Sequence, residues 1–81
     1  MSIRKEIEST FKRVAEEQGR RLAPLTDELK LTECGLDSLS FSVVIISLEH
    51  SFNVDPFDSV EPAEYPVTLR ELIALYERHV A

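Results

Sequence analysis

The residues of this 81-residue chain whose types and spacing could carry chemistry are Gly35-Leu36-Asp37-Ser38-Leu39. This motif falls where a long connection passes into an apolar segment that we predict to be helical. The first turn of a helix leaves backbone N–H groups unpaired and carries the positive end of the helix dipole, so a phosphate ester on Ser38 would be stabilised there. Asp37 could cap the helix or help hold a divalent cation during phosphoryl transfer. Gly35 permits a tight turn and the close approach of another protein.

The same residues also have a simpler structural interpretation. Asp and Ser are both good N-caps, so Asp37-Ser38 is an ordinary way to begin a helix that has no other role. The dipeptide alone favours this interpretation. The whole pentapeptide in its setting favours a modification site.

Two amphipathic helices are predicted to flank the motif. Segment 2–18 begins at a capping Ser2 and ends at Gly19, and segment 68–79 begins with a capping box of Thr68 and Glu71. Each segment repeats its apolar residues at helical spacing, which defines an inward face. These faces consist of Ile3, Ile7, Phe11 and Val14 in the first helix and of Leu69, Leu72, Ile73 and Tyr76 in the last.

Residues 38–51 are predicted to form the helix between them. A β-strand competes, because Phe41 and the run Val43–Ile46 are β-formers. The N-cap at Asp37-Ser38, a length of about three turns and the lack of a comparable second strand favour a helix. This helix is apolar over most of its circumference, so we expect more than one of its sides to be covered.

The connections are less regular. Residues 19–37 have no sustained period, and we predict a short turn near Thr26–Leu29 that Thr26 or Asp27 caps. Residues 53–66 contain three of the four prolines and are predicted to include one helical turn over 60–65. Five leucines of the first connection should pack onto the core: Leu22, Leu25, Leu29, Leu31 and Leu36. The predicted fold is all-α, a small four-helix bundle of three main helices and a short one with a long first loop, in a single domain of residues 1–81.

Composition excludes several classes of function. The chain has 9 basic and 15 acidic residues and a net charge of -6, which argues against nucleic-acid binding. One Cys and two His cannot form a disulfide framework or a structural zinc set. No apolar run approaches the roughly 20 residues of a membrane span, and the N-terminal ten residues lack the apolar stretch of a signal peptide. We therefore expect a small cytoplasmic protein that other proteins handle.

The charge is concentrated in the middle of the chain. Residues 1–21 carry a net charge of +2, residues 22–67 carry -8, and residues 68–81 are balanced. A partner that meets the middle of the chain should be basic.

With these features, the chain resembles the acyl carrier and peptidyl carrier proteins, the phosphopantetheine-binding family. The family's hallmark is an Asp-Ser-Leu at the start of the second helix, which Asp37-Ser38-Leu39 matches. The resemblance covers nearly the whole chain: its length, acidity, long first loop, short third helix and final helix. Leu48-Glu49 followed by Phe52 resembles the family's end of helix two, and Val67-Thr68-Leu69 resembles its start of the last helix.

The resemblance implies that Ser38 receives 4′-phosphopantetheine from coenzyme A through a phosphodiester bond, made by a separate phosphopantetheinyl transferase. The arm's thiol would carry an acyl or aminoacyl group as a thioester, from a loading ligase to downstream enzymes of lipid or secondary-metabolite biosynthesis. Gly35, Leu36, Asp37 and Leu39 would surround the attachment site. The protein would then be a monomeric carrier and not an enzyme. An alternative is an unmodified helical interaction module.

One departure from the family lies on the second helix. Members that serve fatty-acid synthesis usually show acidic residues along its exposed face, whereas Glu49 is the one acid between residues 38 and 54 here. We hypothesise that partners dock on Leu39, Phe41 and Val43 more by apolar contact than by charge. The other interpretation is that some of these side chains are buried. The pattern favours a specialised carrier over the fatty-acid one.

Three further features have weaker functional interpretations. Cys34 could be a redox-sensitive thiol, but packing on the core is favoured. A hydrolase with Ser38 as nucleophile and His50 or His79 as base is disfavoured, because no nucleophile elbow is visible and His50 lies roughly 18 Å along the same helix. The carrier fold also implies a core that can open around an acyl chain. Its predicted lining is Val44, Ile46, Leu48, Val67 and Ile73.

Overall fold

The motif lies where the first long connection meets a helix. In the computed structural model, which describes residues 2–59, 61 and 65–80, the helical content predicted from sequence is confirmed as a small bundle. No strand occurs within these residues, apart from one isolated bridge. The α-helices of the described chain are α1 (Ile3–Glu17), α2 (Ser38–Phe52) and α3 (Leu69–Val80), with 3₁₀ turns at Leu31–Glu33 and Pro56–Ser59.

The ends of α1 follow from its capping residues. The Ser2 hydroxyl accepts a hydrogen bond from the Lys5 amide at 3.3 Å, as the sequence predicts. At the other end Gly19 adopts a left-handed φ of 65°, and the Arg20 amide donates to the Ala15 carbonyl at 2.8 Å. This is a Schellman termination, which satisfies carbonyls that the helix leaves open. It sends the chain back toward the body of the bundle.

The start of α3 is also fixed by side chains. The Thr68 backbone amide donates to the Glu71 carboxylate at 3.3 Å, and the Glu71 amide donates to the Thr68 hydroxyl at 3.3 Å. The predicted capping box is therefore confirmed.

The core lies between the three helices. The predicted inward faces of α1 and α3 are buried, apart from the half-buried Ile3, and α3 also buries Leu75, which the sequence analysis missed. Only one side of α2 is fully buried, through Val44 and Leu48, so the expectation that more than one side is covered holds only in part. Aromatic rings connect the elements: Phe11 packs on Phe41, and Tyr76 packs on Phe52 and Phe57.

The long first connection is tied to α3 by backbone hydrogen bonds. The Leu31 amide donates to the Val67 carbonyl at 2.8 Å, and the Leu69 amide donates to the Leu29 carbonyl at 2.9 Å. These bonds flank the antiparallel bridge between Lys30 and Thr68. The five predicted leucines of the connection pack against the core. The segment is therefore an ordered part of the fold, although its 3₁₀ turn was not predicted.

An ion-pair network holds the same connection on its outer side. The Asp27 carboxylate pairs with Arg4 of α1 at 2.7 Å and with Arg70 of α3 at 3.6 Å. The Arg4 hydrogen bond is the main cause of a lowered pKa of Asp27. The predicted turn is present, since the Leu29 amide donates to the Thr26 carbonyl at 3.1 Å. Asp27 thus joins three elements.

The predicted helical turn over 60–65 lies largely outside the described residues. The structure instead has a 3₁₀ turn just before it, at Pro56–Ser59. The Phe57 amide in this turn donates to the Asp55 carboxylate at 3.2 Å. This turn places Phe57 beside the motif.

Candidate functional site

Ser38 is the first residue of α2, and its side chain is exposed. Its carbonyl accepts a hydrogen bond from the Ser42 hydroxyl at 2.9 Å, while its own hydroxyl makes no hydrogen bond within the described chain. The hydroxyl therefore stands at the N-terminal end of a 15-residue helix, open to another molecule.

Asp37 is the N-cap of α2, as predicted. One carboxylate oxygen accepts a hydrogen bond from the Ser40 amide at 2.8 Å, and the other lies 2.6 Å from Nη2 of Arg20. The hydrogen bonds from Ser40, followed by the charge of Arg20, hold the pKa of Asp37 below its usual value. Each oxygen already has a partner, so a divalent cation at Asp37 would compete with Arg20 for the carboxylate.

Gly35 is required by the chain's own packing. Its φ is 102°, and a Cβ at this position would run into the backbone carbonyl of Arg21. The Ala23 amide donates to the Cys34 carbonyl at 2.9 Å beside it. The close approach that the sequence led us to expect from another protein is made by residues 21–23, which fix the turn that presents the motif.

The motif opens onto an apolar cleft with a volume of about 510 Å³. Leu36 and Phe41 line it together with Ser38. Phe57 and Tyr65, which also line the cleft, meet edge to face, with ring centroids 5.5 Å apart. The full lining is Leu31, Thr32, Leu36, Asp37, Ser38, Phe41, Phe57, Tyr65 and Pro66.

The lining that was predicted for an acyl pocket in the core is wrong at two of its residues. Val44, Leu48 and Ile73 are buried, but Ile46 is 53% exposed and Val67 is 57% exposed. The last two side chains lie on the surface and cannot line a core pocket. The cleft beside Ser38 is an apolar space at a different place, next to the motif.

The predicted docking residues differ in exposure. Leu39 is 71% exposed, whereas Phe41 and Val43 are half-buried and pack against the core. Ile46 is exposed as well and was missed, although it lies seven residues from Leu39 and so on the same face of α2. We call Leu39 and Ile46 the α2 apolar patch. The docking hypothesis therefore shifts from Phe41 and Val43 toward Ile46.

The remaining candidates are not joined to the motif. Neither His50 nor His79 hydrogen-bonds to Ser38, and Nδ1 of His79 lies 2.9 Å from the Leu75 carbonyl oxygen. Cys34 is fully buried, as the packing interpretation predicts. Among the described residues, no cluster of three His, Cys, Asp or Glu side chains could hold a metal ion.

The chain matches no protein-family model, no curated protein and no solved structure. In the part of the chain that the structure describes, no helix is long and apolar enough to cross a membrane.

Proposed function

We propose that this protein is a phosphopantetheine-dependent carrier with Ser38 as its attachment site. The observation that carries the proposal is the exposed Ser38 hydroxyl at the N-terminus of α2, beside an apolar cleft. The unpaired amides and dipole of the helix end favour the negative charge of a phosphodiester. The residues present therefore fit the group that the motif implies.

The proposed modification uses one atom of this chain as the nucleophile. The Ser38 oxygen attacks the phosphorus of coenzyme A that bears the pantetheine, and an O–P bond forms. The pyrophosphate P–O bond breaks, adenosine 3′,5′-bisphosphate leaves, and the hydroxyl proton passes to a base on the transferase. The bound arm supplies a thiol for thioester chemistry. The chain itself presents the hydroxyl, caps the helix through Asp37 and offers the cleft.

The same proposal defines the partners. A phosphopantetheinyl transferase, an acyl- or aminoacyl-loading ligase and downstream biosynthetic enzymes would each meet a monomeric, cytoplasmic carrier that catalyses nothing itself and binds no nucleic acid. The α2 apolar patch and the lone acid of this helix, Glu49, favour a specialised carrier that serves secondary metabolism or carries aminoacyl groups.

Intact-mass measurement tests the carrier function. The purified protein is incubated with coenzyme A and a broad-specificity phosphopantetheinyl transferase, with a known carrier as the positive control. We expect one phosphopantetheine to be added to the wild type and to Ser42→Ala, which alters an exposed serine of the same helix, and none to Ser38→Ala. An unmodified wild-type chain beside a modified control would falsify the proposal.

A second candidate is a helical interaction module that acts without modification. The α2 apolar patch favours it, because an exposed apolar surface of this kind marks a binding site whether or not Ser38 is modified. Under this function, partner binding would be the same for the wild type and Ser38→Ala. A carrier would lose productive transfer in that variant.

A further inference from the structure

Arg20 is held beside the motif by the fold. The Schellman termination of α1 directs it there, and the packing of Gly35 against the Arg21 carbonyl fixes the two backbone segments side by side. The result is the 2.6 Å contact between Nη2 of Arg20 and the Asp37 carboxylate, across 17 residues of chain.

The contact with Asp37 uses only part of the Arg20 side chain. A guanidinium group has five N–H donors in a planar fork, and it can contact two anions at once. The other donors of Arg20 have no acceptor within the described chain. Besides Arg20, the basic residues nearest to the motif in the sequence are Arg21 and Lys30, and within the described chain neither forms an ion pair with Asp37. Arg20 is thus a cation with spare donors that contacts Asp37, the residue before Ser38.

We propose that Arg20 is a positioning residue for the phosphopantetheine arm, and that it bridges the Asp37 carboxylate and the phosphodiester on Ser38. This inference rests on the proposed function. Ser38 is the next residue after Asp37, and neighbouring Cα atoms lie about 3.8 Å apart. A phosphate on the Ser38 oxygen would therefore come within reach of a guanidinium that already touches Asp37. Before modification, Asp37 holds Arg20 in place.

The bridge would act on the direction of the arm. The amides at the start of α2 would hold the phosphate from one side and Arg20 from another, so the first bonds of the arm would leave the surface in a restricted range of directions. The cleft begins at the same serine. Arg20 would thereby bias the arm before any partner enzyme binds.

The test uses the chain's single cysteine. Cys34 lies four residues before Ser38, so the full chain can be assembled by native chemical ligation at Cys34 from a synthetic 34–81 peptide. That peptide carries a serine methyl phosphodiester at position 38, which has the charge of the natural linkage and needs no transferase. The wild-type chain is compared with Arg20→Gln, with Arg20→Lys and with Arg21→Gln, a neighbouring exposed arginine, as the matched control. Circular dichroism verifies that each chain is folded.

The readout is the ³¹P chemical shift and transverse relaxation of the phosphodiester. An exposed charge pair of ordinary strength would make the phosphate bound to Arg20 roughly two- to fivefold more populated than the unbound form. We expect faster relaxation in the wild type and Arg21→Gln than in Arg20→Gln, with Arg20→Lys between them. Added salt should make the relaxation rates of the folded variants more alike, because it screens the charge pair.

Equal ³¹P relaxation and shift in the wild type and Arg20→Gln would overturn the inference. The outcome is independent of the mass measurement on Ser38, because the phosphodiester is installed by synthesis. A chain that no transferase modifies, but whose synthetic phosphodiester responds to Arg20, would refute the carrier function and leave the anion-positioning geometry standing. A chain that the transferase modifies, but whose synthetic phosphodiester does not respond to Arg20, would support the carrier function and refute the role of Arg20.

Discussion

Asp37 divides its two carboxylate oxygens between the N-terminus of α2 and Arg20. Its folded-state pKa lies below the ordinary value of 3.8. A group with a lowered pKa contributes stability above its unfolded-state pKa and loses that contribution as the pH falls through the folded-state pKa. The stabilising effect of Asp37 should therefore be complete at neutral pH and be lost only below about pH 4.

Substitution separates the two roles of Asp37. Asn is an equally good N-cap but carries no charge, so Asp37→Asn should nearly keep the melting temperature at pH 7 and fall less steeply with acid than the wild type. Asp37→Ala, which removes the cap as well, should melt lower at every pH. Thermal unfolding followed by circular dichroism from pH 7 to pH 2 measures both effects. Parallel pH profiles for Asp37→Asn and the wild type would show that the charge of Asp37 contributes nothing.

Tyr76 carries a polar atom where the core offers it no partner. Its ring is fully buried, and its hydroxyl makes no hydrogen bond to a described residue. Burial, followed by the nearby charge of Glu49, raises the pKa of this hydroxyl. A buried hydroxyl without a hydrogen-bond partner lowers the free energy of unfolding by about 1–3 kcal/mol.

Removal of this hydroxyl should stabilise the fold. We expect Tyr76→Phe to raise the free energy of unfolding by about 1 kcal/mol in urea denaturation. Tyr65→Phe, at a side chain that is 45% exposed, should change it by less than about 0.5 kcal/mol. A less stable Tyr76→Phe variant would mean that an ordered water binds the hydroxyl.

The sequence identifies the residues of the motif but not their contacts. Ser38 at a helix start and Asp37 as its cap are local properties, since both depend on the few residues that follow. The Arg20–Asp37 pair joins positions 17 residues apart across an aperiodic connection, so no spacing rule indicates it. The same holds for the contact of Gly35 with Arg21.

At the scale of elements, two glycines control how the connection between α1 and α2 runs. Gly19 and Gly35 both have positive φ, at 65° and 102°. A Cβ on Gly19 would meet no atom within 4 Å, whereas a Cβ on Gly35 would meet the backbone of Arg21, which cannot move aside as a side chain could. The two positions therefore allow a direct comparison of alanine substitutions with and without a steric clash.

Alanine at these glycines should give different losses of stability. Gly19→Ala adds only the left-handed backbone penalty of about 1–2 kcal/mol. Gly35→Ala adds a steric clash to the strain of its φ, so we expect a loss of about 3 kcal/mol or more. Urea denaturation measures both values. Equal losses in the two variants would indicate that the connection shifts freely away from Arg21.

The helices and turns differ in how well the sequence pattern predicts their limits and their buried faces. The helices α1 and α3 have clear apolar faces and capping residues, so their limits are predicted to within about one residue. The helix α2 is apolar nearly all round, so its sequence cannot distinguish the buried Val44 from the exposed Ile46. Packing in the core between the helices decides this. The 3₁₀ turns are too short to show a period.

At the scale of the whole molecule, residues 22–67 carry a net charge of -8, yet α2 within them holds a single acid, Glu49. The α2 apolar patch should therefore contribute to partner binding through burial of apolar surface. We expect a Leu39→Ser, Ile46→Ser double variant to bind a cognate enzyme at least tenfold more weakly, with its stability changed by less than about 1 kcal/mol because both side chains are exposed. Calorimetric titration and urea denaturation measure the two quantities.

Salt distinguishes apolar from ionic docking. Binding through the α2 apolar patch should change little between low and high salt, whereas contacts made by exposed charges are screened. Glu49→Gln serves as the matched charge variant on the same helix and should leave the affinity nearly unchanged. A strong loss of affinity with salt or in Glu49→Gln would contradict apolar docking.

The backbone pairing between the first connection and the start of α3 has a consequence for synthesis on the ribosome. Leu29 and Leu31 find their hydrogen-bond partners in Leu69 and Val67, almost 40 residues later in the sequence. A nascent chain that has exposed only α1, the connection and α2 therefore lacks the groups that fasten the connection down. The part of the connection around Leu29 and Leu31 can therefore settle only after the last helix has begun to emerge, whereas the contacts of residues 21–23 with Cys34 and Gly35 need no residue beyond the connection itself.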